Sequence, residues 1–188
     1  MKVLFSNPPW WGGSQTLKLE NGQEAEFWTS GLRAGSRWPF TTLMRSGPDK
    51  FVFGDYRPYP FFMGYAATYA AKNTDADVRF RDSVGISESY DSYFQYLKEE
   101  EFDMIFVESA TPSWQHDRAI LSAISEVLPD AAIVVAGPIT ANEETVFKAK
   151  SVKSCIKGEY EKSAVKVIEG AEGVFTHDLL TRDEMNDS

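Results

Sequence analysis

Residues that could contact a ligand follow each of five strand-like segments along the chain. They are mainly small, hydroxylated, amide-bearing or acidic, with glycine and proline among them: Ser6, Asn7, Pro8 and Pro9; Asp82, Ser83 and Val84; Ser109, Ala110 and Thr111; Gly137, Pro138 and Ile139; Gly158, Glu159 and Tyr160. Hydroxyl groups and backbone amides donate hydrogen bonds, and glycine lets a ligand approach the backbone. Helices that begin at such turns add a partial positive charge. Small residues also form ordinary tight turns, but five such turns together predict a binding site.

Three acids in or beside these turns, Asp82, Glu108 and Glu159, are of the residue type that binds magnesium. Phospho-acceptor receiver domains use such acids, but they need a pair of acids after the first strand. Here the first strand ends in Ser6-Asn7. The sequence therefore predicts no metal site, and Glu159 is expected to accept backbone amides at the start of a helix.

Asn7-Pro8-Pro9-Trp10 contains the residue types with which amino-methyltransferases hold an amino group: an amide, a proline carbonyl and an aromatic ring. Those enzymes also need a glycine-rich loop such as FxGxG for S-adenosylmethionine (SAM), and the sequence contains none. Two prolines cannot extend a helix or a central strand. We therefore interpret them as the point where the chain turns outward.

Composition excludes several classes of function. Acids outnumber bases 28 to 19 and the net charge is -9, which argues against a nucleic-acid partner because a phosphate backbone needs a basic surface. The single cysteine, Cys155, cannot form a disulfide framework and is expected to lie buried in a strand. No signal-peptide core is visible, and the longest apolar stretch, 59–71, is shorter than the roughly 20 residues of a membrane span. A cytoplasmic location without a membrane span is expected.

Strand-like and helix-like patterns alternate from residue 59 onward. The spacing predicts strands over 2–6, 77–81, 104–107, 131–136 and 153–156, and helices over 59–73, 90–100, 113–128, 142–150 and 160–169. The apolar strands MIFV and AAIVVA show no alternation, which is typical of a parallel sheet covered on both faces. The prediction is a doubly wound α/β domain, flavodoxin-like or Rossmann-like, with five parallel strands. In such a domain a ligand binds where the strand order reverses.

A long insertion, residues 10–58, separates the first strand from the first helix, where about two to six residues are usual. It contains Trp10, Trp11, Trp28 and Trp38. A long loop that is rich in aromatic residues is expected to be ordered and functional; the alternative is a lid with its own small core. Arg37 and Trp38 are candidate ligand contacts, because arginine both stacks and hydrogen-bonds. Salt bridges with the abundant acids are the alternative for Arg37.

Several of these segments together resemble the cobalamin-binding N-terminal domain of the B12-dependent radical SAM enzymes. They are NPP after the first strand, YPFFMGYAATYAA as the first helix, VESATPS after the third strand, AGP after the fourth and KGEYE after the fifth. The resemblance covers residues 1–9 and about 58–170, and GEYE paired with AGP is its most specific part. It implies a flavodoxin-like domain, residues 1–170, that presents cobalamin to a following barrel. In the family that barrel binds SAM and a [4Fe–4S] cluster through a CxxxCxxC motif.

The sequence also departs from that family. The barrel and the three-cysteine motif are absent, so this chain alone is expected to be non-catalytic, and residues 171–188 resemble a linker toward a barrel in the same polypeptide. Older cobalamin modules carry DxHxxG, whose histidine ligates cobalt; here the matching stretch reads Asp82-Ser83-Val84-Gly85-Ile86. Base-off cobalamin without a histidine ligand is therefore expected. His116 is expected to be a solvated residue of a helix's first turn rather than a cobalt ligand.

On this interpretation the dimethylbenzimidazole tail enters between the sheet and the helices, flanked by the ends of the first, third and fourth strands. Ser109 and Thr111 are expected to donate hydrogen bonds to the nucleotide loop, and Gly137 and Pro138 to form a bare backbone shelf. The corrin is expected to lie across the strand ends, under the insertion. The parent reaction would be a methyl transfer or another SAM-dependent step. A flavin- or nucleotide-binding module, or a protein-interaction module without cobalamin, is the open alternative.

Overall fold

The structure, a computed structural model, describes residues 1–18, 22, 24–30, 41–44, 59–86, 88–176 and 178–186. Its strands are β1 (Lys2–Asn7), β2 (Trp11–Lys18), β3 (Glu24–Ser30), β4 (Thr41–Met44), β5 (Asp77–Asp82), β6 (Met104–Glu108), β7 (Ala132–Ala136), β8 (Val152–Lys157) and β9 (Gly173–Thr176). Its α-helices are α1 (Phe61–Asn73), α2 (Tyr90–Glu100), α3 (Trp114–Val127), α4 (Glu143–Phe147), α5 (Glu161–Ile168) and α6 (Arg182–Asn186), and a 3₁₀ helix spans Pro138–Asn142.

The main sheet has six parallel strands in the order β5-β1-β6-β7-β8-β9. Strand β1 lies between β5 and β6, so that Phe5 is in register with Phe80 on one side and with Phe106 on the other. The chain therefore adds strands in one direction from β1 and then reverses to add the rest on its other side. The predicted doubly wound α/β fold is confirmed, and the reversal lies beside the first strand.

The sixth strand, β9, is a correction to the predicted count of five. It pairs with β8 at the edge of the sheet, between positions Ser154–Gly173 and Lys157–Thr176. The sequence GVFT did not stand out as a strand because it is only four residues long and its side chains alternate between half-buried and exposed. That alternation is typical of an edge strand, whereas the central strands are apolar throughout.

The helix predicted over 142–150 is shorter than expected. A 3₁₀ helix over Pro138–Asn142 comes first, and α4 covers only Glu143–Phe147. The Asn142 side chain accepts a hydrogen bond from the Thr145 amide at 3.3 Å and so begins the new helix. By contrast, α2 has the predicted bounds, because Ser89 caps it by accepting a hydrogen bond from the Ser92 amide at 3.1 Å.

Within the insertion the structure describes a second, antiparallel sheet in the order β2-β3-β4. Trp11 is in register with Ser30, and Trp28 with Thr42. The candidate ligand contacts Arg37 and Trp38 lie outside the described residues.

The two faces of the main sheet carry separate apolar layers. On one face Leu4 packs in a cluster with residues of α2 and α3, and on the other Val3 and Phe5 pack in a cluster with residues of α1 and α5. The Phe5 and Phe106 rings stack with centroids 4.4 Å apart. Residue Cys155 of β8 is fully buried, as predicted, and its burial raises the pKa of the thiol. The helices therefore leave the ends of the strands as the accessible edges of the sheet.

Among the helices in the described part of the chain, none is both long enough and apolar enough to cross a lipid bilayer.

Two buried serines provide a test of the packing around the sheet. The Ser163 hydroxyl on α5 is buried without a hydrogen-bond partner among the described residues. The Ser113 hydroxyl accepts from the Ala110 amide at 3.0 Å and donates to Asp117 at 2.6 Å. We expect Ser163→Ala to leave the free energy of unfolding unchanged or to raise it by up to about 1 kcal/mol, and Ser113→Ala to lower it by about 1–3 kcal/mol. Urea unfolding followed by circular dichroism measures both, and equal losses in the two variants would contradict the assignment.

Candidate functional site

The loops that follow β1, β5, β6, β7 and β8 meet at the carboxyl edge of the main sheet, because these strands are parallel. The strand order reverses between β1 and β6. An α/β sheet of this kind binds ligands in the crevice at such a reversal. The predicted ligand-binding turns, apart from the insertion residues Arg37 and Trp38, therefore share one edge of the molecule.

A cavity of about 650 Å³ opens at this edge beside the ends of β6, β7 and β8. Its lining comes from α1, from the three strand ends and from the chain after β9: Phe62, Glu108, Gly137, Pro138, Thr140, Ala141, Lys157, Gly158, Glu159, Tyr160 and Leu179. The volume lies in the range of small-molecule sites, about 300–1,000 Å³. Five predicted site residues line it: Gly137, Pro138, Gly158, Glu159 and Tyr160. The cavity lies farther from the reversal than predicted, since β8 rather than β1 borders it.

The inner wall of the cavity contains a buried phenol and a buried carboxylate. Tyr160 and Glu108 are only 5% and 8% exposed, and the Tyr160 hydroxyl donates a hydrogen bond to Glu108 Oε1 at 2.9 Å. Burial, together with the charge of Glu108, raises the pKa of Tyr160 well above its usual value. The phenol therefore stays protonated and acts as a donor. The Phe62 ring meets the Tyr160 ring edge-on, with centroids 6.0 Å apart.

The charges around the cavity do not suit a phosphate. Among the described lining residues, Lys157 is the one basic side chain, and it forms an ion pair with Glu143. Glu108 and Glu159 add negative charge to the lining. Phosphate sites usually present arginine, lysine or several backbone amides. The lining favours a ligand group that is aromatic and uncharged.

Gly137 is required by the chain's own packing. Its φ is +95°, and a Cβ atom there would lie 2.6 Å from the carbonyl oxygen of Ser109. The two turns are joined by hydrogen bonds from the Ser109 amide to the Ala136 carbonyl, 2.9 Å, and from the Ile139 amide to the Ser109 carbonyl, 3.3 Å. The close approach of two backbones explains the glycine without a ligand, although Gly137 also lines the cavity.

Ser109, Ser113 and Asp117 form a buried network between β6 and α3. Both serine hydroxyls donate to Asp117 Oδ2, each at 2.6 Å, and all three residues are at most 1% exposed. The Ser109 hydroxyl would have to leave Asp117 to contact a ligand. Thr111 is exposed and Ala110 is buried, so the predicted contacts of this turn to a nucleotide loop remain predictions.

His116 is part of a cluster that the sequence did not reveal. Its Nε2 lies 3.0 Å from the Tyr90 hydroxyl and its Nδ1 lies 3.4 Å from Asp117 Oδ1. Its ring stacks on Trp10 with centroids 4.7 Å apart and an angle of 17° between the rings. The residue lies in the first turn of α3, as predicted, but its side chain is half-buried, 22% exposed, rather than fully solvated. Both ring nitrogens face polar partners, which disfavours His116 as a metal ligand.

The turn after β1 is buried beneath this edge. The Ser6 and Tyr93 hydroxyls lie 2.9 Å apart in the core, and Pro8 and Pro9 are buried. The Asn7 side-chain amide donates to Asp82 Oδ1 at 2.7 Å and ties the ends of β1 and β5 together. These predicted site residues support the edge and do not line the cavity.

The turn after β5 holds its shape through its own polar groups. Asp82 Oδ1 also accepts from the Gly85 amide at 2.9 Å, and the Ser83 hydroxyl donates to Glu88 at 2.7 Å. Val84, at the position of the ligating histidine in DxHxxG modules, is only 1% exposed. The adjoining Ile86 is exposed. Val84 therefore belongs to the core rather than to the surface that a ligand would meet.

Two further expectations concern acids. The carboxylate that accepts the Tyr160 amide at the start of α5 belongs to Glu161, at 3.1 Å, and Glu159 is exposed. The helix-start role expected for Glu159 therefore falls to Glu161. Across the described residues, no three or more His, Cys, Asp or Glu side chains are grouped in a way that could hold a metal ion.

Ile139, the remaining predicted site residue, is only 4% exposed and packs in the core on the α2–α3 face. It therefore lies beneath the cavity edge rather than in the cavity lining.

Comparison with protein-family models, with curated proteins and with solved structures gives no match for this chain.

Gly137→Ala tests the close approach of the two turns. We expect a loss of roughly 3 kcal/mol in the free energy of unfolding, because a methyl group would meet the Ser109 carbonyl and the positive φ disfavours alanine. Gly170→Ala is the matched control, since Gly170 has a φ of +102° but no atom within 4 Å of an added Cβ. That control should lose about 1 kcal/mol. Chemical unfolding compares the two, and a control loss as large as that of Gly137→Ala would show that backbone conformation alone explains the glycine.

The ion pair between Arg81 and Glu88, beside the turn after β5, predicts that the free energy of unfolding depends on pH. Burial raises the pKa of Glu88, but hydrogen bonds from Arg81 and Ser83 and the charge of Arg81 outweigh it, so the pKa lies below the ordinary 4.5. The stability that Glu88 contributes is therefore present above the unfolded-state value and is lost as pH falls through the folded-state pKa. We expect Glu88→Gln to cost about 2–4 kcal/mol at pH 7 and progressively less as the pH falls through the lowered pKa of the carboxyl group.

Urea unfolding of the wild type and Glu88→Gln between about pH 2 and pH 8 measures this difference. Glu126→Gln, an exposed acid on α3, serves as the control. A difference between wild type and Glu88→Gln that stays constant over the whole range would rule out the proposed role of the carboxylate.

Proposed function

We propose that this chain is a cobalamin-binding domain of the B12-dependent radical SAM type, which holds base-off cobalamin without a histidine ligand. One observation carries the proposal. The two turns in which the resemblance is most specific, AGP after β7 and KGEYE after β8, both contribute to a single cavity at the carboxyl edge of the sheet. The cavity also borders the ends of β6 and β7, the third and fourth predicted strands, beside which the tail of the cofactor is expected to enter.

The lining of the cavity fits the dimethylbenzimidazole tail. Phe62 and Leu179 offer aromatic and apolar surface, and Gly137 and Gly158 carry no side chain to occupy the space. A flat aromatic group gains burial energy and edge contacts from such walls. The acidic balance of the lining disfavours flavin mononucleotide or a nucleotide whose phosphates enter the cavity. Pro8 and Pro9, buried after β1, also replace the hydroxyl-rich phosphate loop of flavodoxins.

The surroundings of His116, and of Val84 at the position of the ligating histidine in DxHxxG modules, support cobalamin binding without a protein ligand to cobalt. His116 already contacts Tyr90, Asp117 and Trp10, and Val84 is buried. The residues that face the cavity would bind the tail and exclude water from it. When bound, the cobalamin would supply methyl-group transfer, or assist another step, in a SAM-dependent reaction of the parent enzyme. SAM and a [4Fe–4S] cluster would belong to a barrel in the same cytoplasmic polypeptide.

A protein-interaction surface is the second candidate function, and the start of α1 favours it. Tyr59, Phe61, Phe62 and Tyr65 are each between 48% and 58% exposed. Aromatic residues are enriched at protein interfaces. This surface is compatible with cobalamin binding, because a barrel or another domain could pack against it.

The proposal predicts selective binding of cobalamin. Purified chain mixed with hydroxocobalamin should keep red colour through desalting and show a base-off absorption spectrum, and equilibrium dialysis gives the affinity. The same chain mixed with flavin mononucleotide should keep no yellow colour. Failure to bind hydroxocobalamin in dialysis, or a bound spectrum of the base-on form, would contradict the proposal.

A pair of tryptophan substitutions controls for nonspecific binding. Ala141 is exposed and lines the cavity, whereas Ala71 is exposed near the other end of α1. We expect Ala141→Trp to weaken cobalamin binding by about tenfold or more, because the indole fills the cavity, and Ala71→Trp to change it by less than about twofold. Equal effects of the two substitutions would place the binding site elsewhere.

A further inference from the structure

We propose that Tyr160 is a gate that controls how deeply an aromatic ligand group enters the cavity. Its ring fills the inner end of the site, Glu108 holds it there, and the tail of the ligand takes its place when the ring turns outward. The inference rests on the proposed function for the identity of the ligand. The space that the Tyr160 ring occupies, called the slot below, can be tested without cobalamin.

Tyr160 lies between the cavity and the core. It lines the cavity together with Gly158 and Glu159, and it also belongs to the buried cluster that contains Phe106 and Ala164. A residue that is 5% exposed and borders both regions forms the partition between them. Moving its ring would extend the cavity toward the space between the helices and the sheet.

A hydrogen bond holds the Tyr160 ring in place, and one side of the ring borders the open cavity. The Tyr160 hydroxyl donates to Glu108 at 2.9 Å and thereby joins the start of α5 to the end of β6. On the solvent side, the ring meets Phe62, which is itself 54% exposed. A core residue enclosed on every side could not leave without disrupting the fold, but the Tyr160 ring borders an open cavity.

The neighbouring helix faces are built from small side chains. Ala66, Ala67 and Ala70 of α1 and Ala164 of α5 lie in the same buried cluster as Tyr160. Small side chains let the two helices pack closely and place no bulky group beside the Tyr160 ring. A dimethylbenzimidazole is flat and aromatic like the phenol ring but larger, so it would occupy the space left by the Tyr160 ring together with the adjoining part of the cavity.

If the gate is closed in most molecules, the apparent affinity for the ligand is the intrinsic affinity multiplied by the fraction of molecules in which the slot is open. Loosening the gate should therefore strengthen the binding of a ligand that has a tail, and should not change the binding of one that lacks it. If Tyr160 were instead a fixed wall on which the ligand packs, its removal would weaken the binding of the tailed ligand.

The experiment compares hydroxocobalamin with cobinamide, which has the corrin but no nucleotide tail. We expect Tyr160→Phe, which removes the hydrogen bond to Glu108, to strengthen hydroxocobalamin binding by about fivefold and to leave cobinamide binding unchanged. Glu108→Gln should act in the same direction, because it keeps an acceptor but removes its charge. Tyr69→Phe, a half-buried tyrosine of α1 that does not line the cavity, is the matched control and should change neither affinity. Weaker or unchanged hydroxocobalamin binding in Tyr160→Phe and Glu108→Gln overturns the gate.

A second measurement tests the slot with 5,6-dimethylbenzimidazole alone, observed by ligand-detected NMR. Tyr160→Ala should bind this compound, because truncation of a buried ring leaves an aromatic-sized space. The wild type and Tyr69→Ala should bind it at least about tenfold more weakly. If the wild type fails to bind hydroxocobalamin but Tyr160→Ala binds dimethylbenzimidazole, the proposed function fails and the slot stands. If Tyr160→Ala folds but does not bind the compound, the slot is overturned.

Discussion

Parallel pairing of β1 with both β5 and β6 is the constraint on which the rest of this structure depends. Because every strand of the main sheet points the same way, the loops after the strands share one edge. Because β1 lies between β5 and β6, α1 after β1 and α3 after β6 cover opposite faces of the sheet. The hydrogen bond from Asn7 to Asp82 and those between the Ser109 and Gly137 turns then fix the loops relative to each other.

The residues of these turns make contacts that the fold itself requires, whether or not a ligand binds. Gly137 accommodates the Ser109 backbone, and the Ser109 hydroxyl satisfies a buried aspartate, Asp117. A small or hydroxylated residue at a strand end is therefore ambiguous in sequence, since close packing of two backbones and contact with a ligand select the same side chains. Only where such a residue faces open space, as Gly158 and Pro138 do, does its exposure add support for binding.

The sequence predicted the layered fold because the central strands are apolar without interruption and the helices carry clear periodicity. It missed β9, whose GVFT is short and alternating, and it extended the helix after β7 past the residue where α4 ends. For the site, it identified the AGP and KGEYE turns but not the roles of Glu108 and Trp10. Those roles depend on contacts across 52 residues to Tyr160 and between the start of the insertion and His116 on α3. No local pattern reports contacts between segments so far apart in sequence.

Burial of the Glu108–Tyr160 pair lowers the stability of the core relative to apolar packing. Burying a carboxylate costs more than a phenol hydrogen bond returns, and two apolar side chains would fill the same volume with less desolvation. The pair lies at the wall of a cavity, at the one end of the sheet where the loops converge, and not in the middle of either apolar layer. The Tyr160 hydroxyl donates to the Glu108 carboxylate in this structure, and under the proposed gate an amide group of a ligand would replace it as the donor. On the proposed gate, the desolvation cost of this pair serves ligand binding rather than the packing of the core.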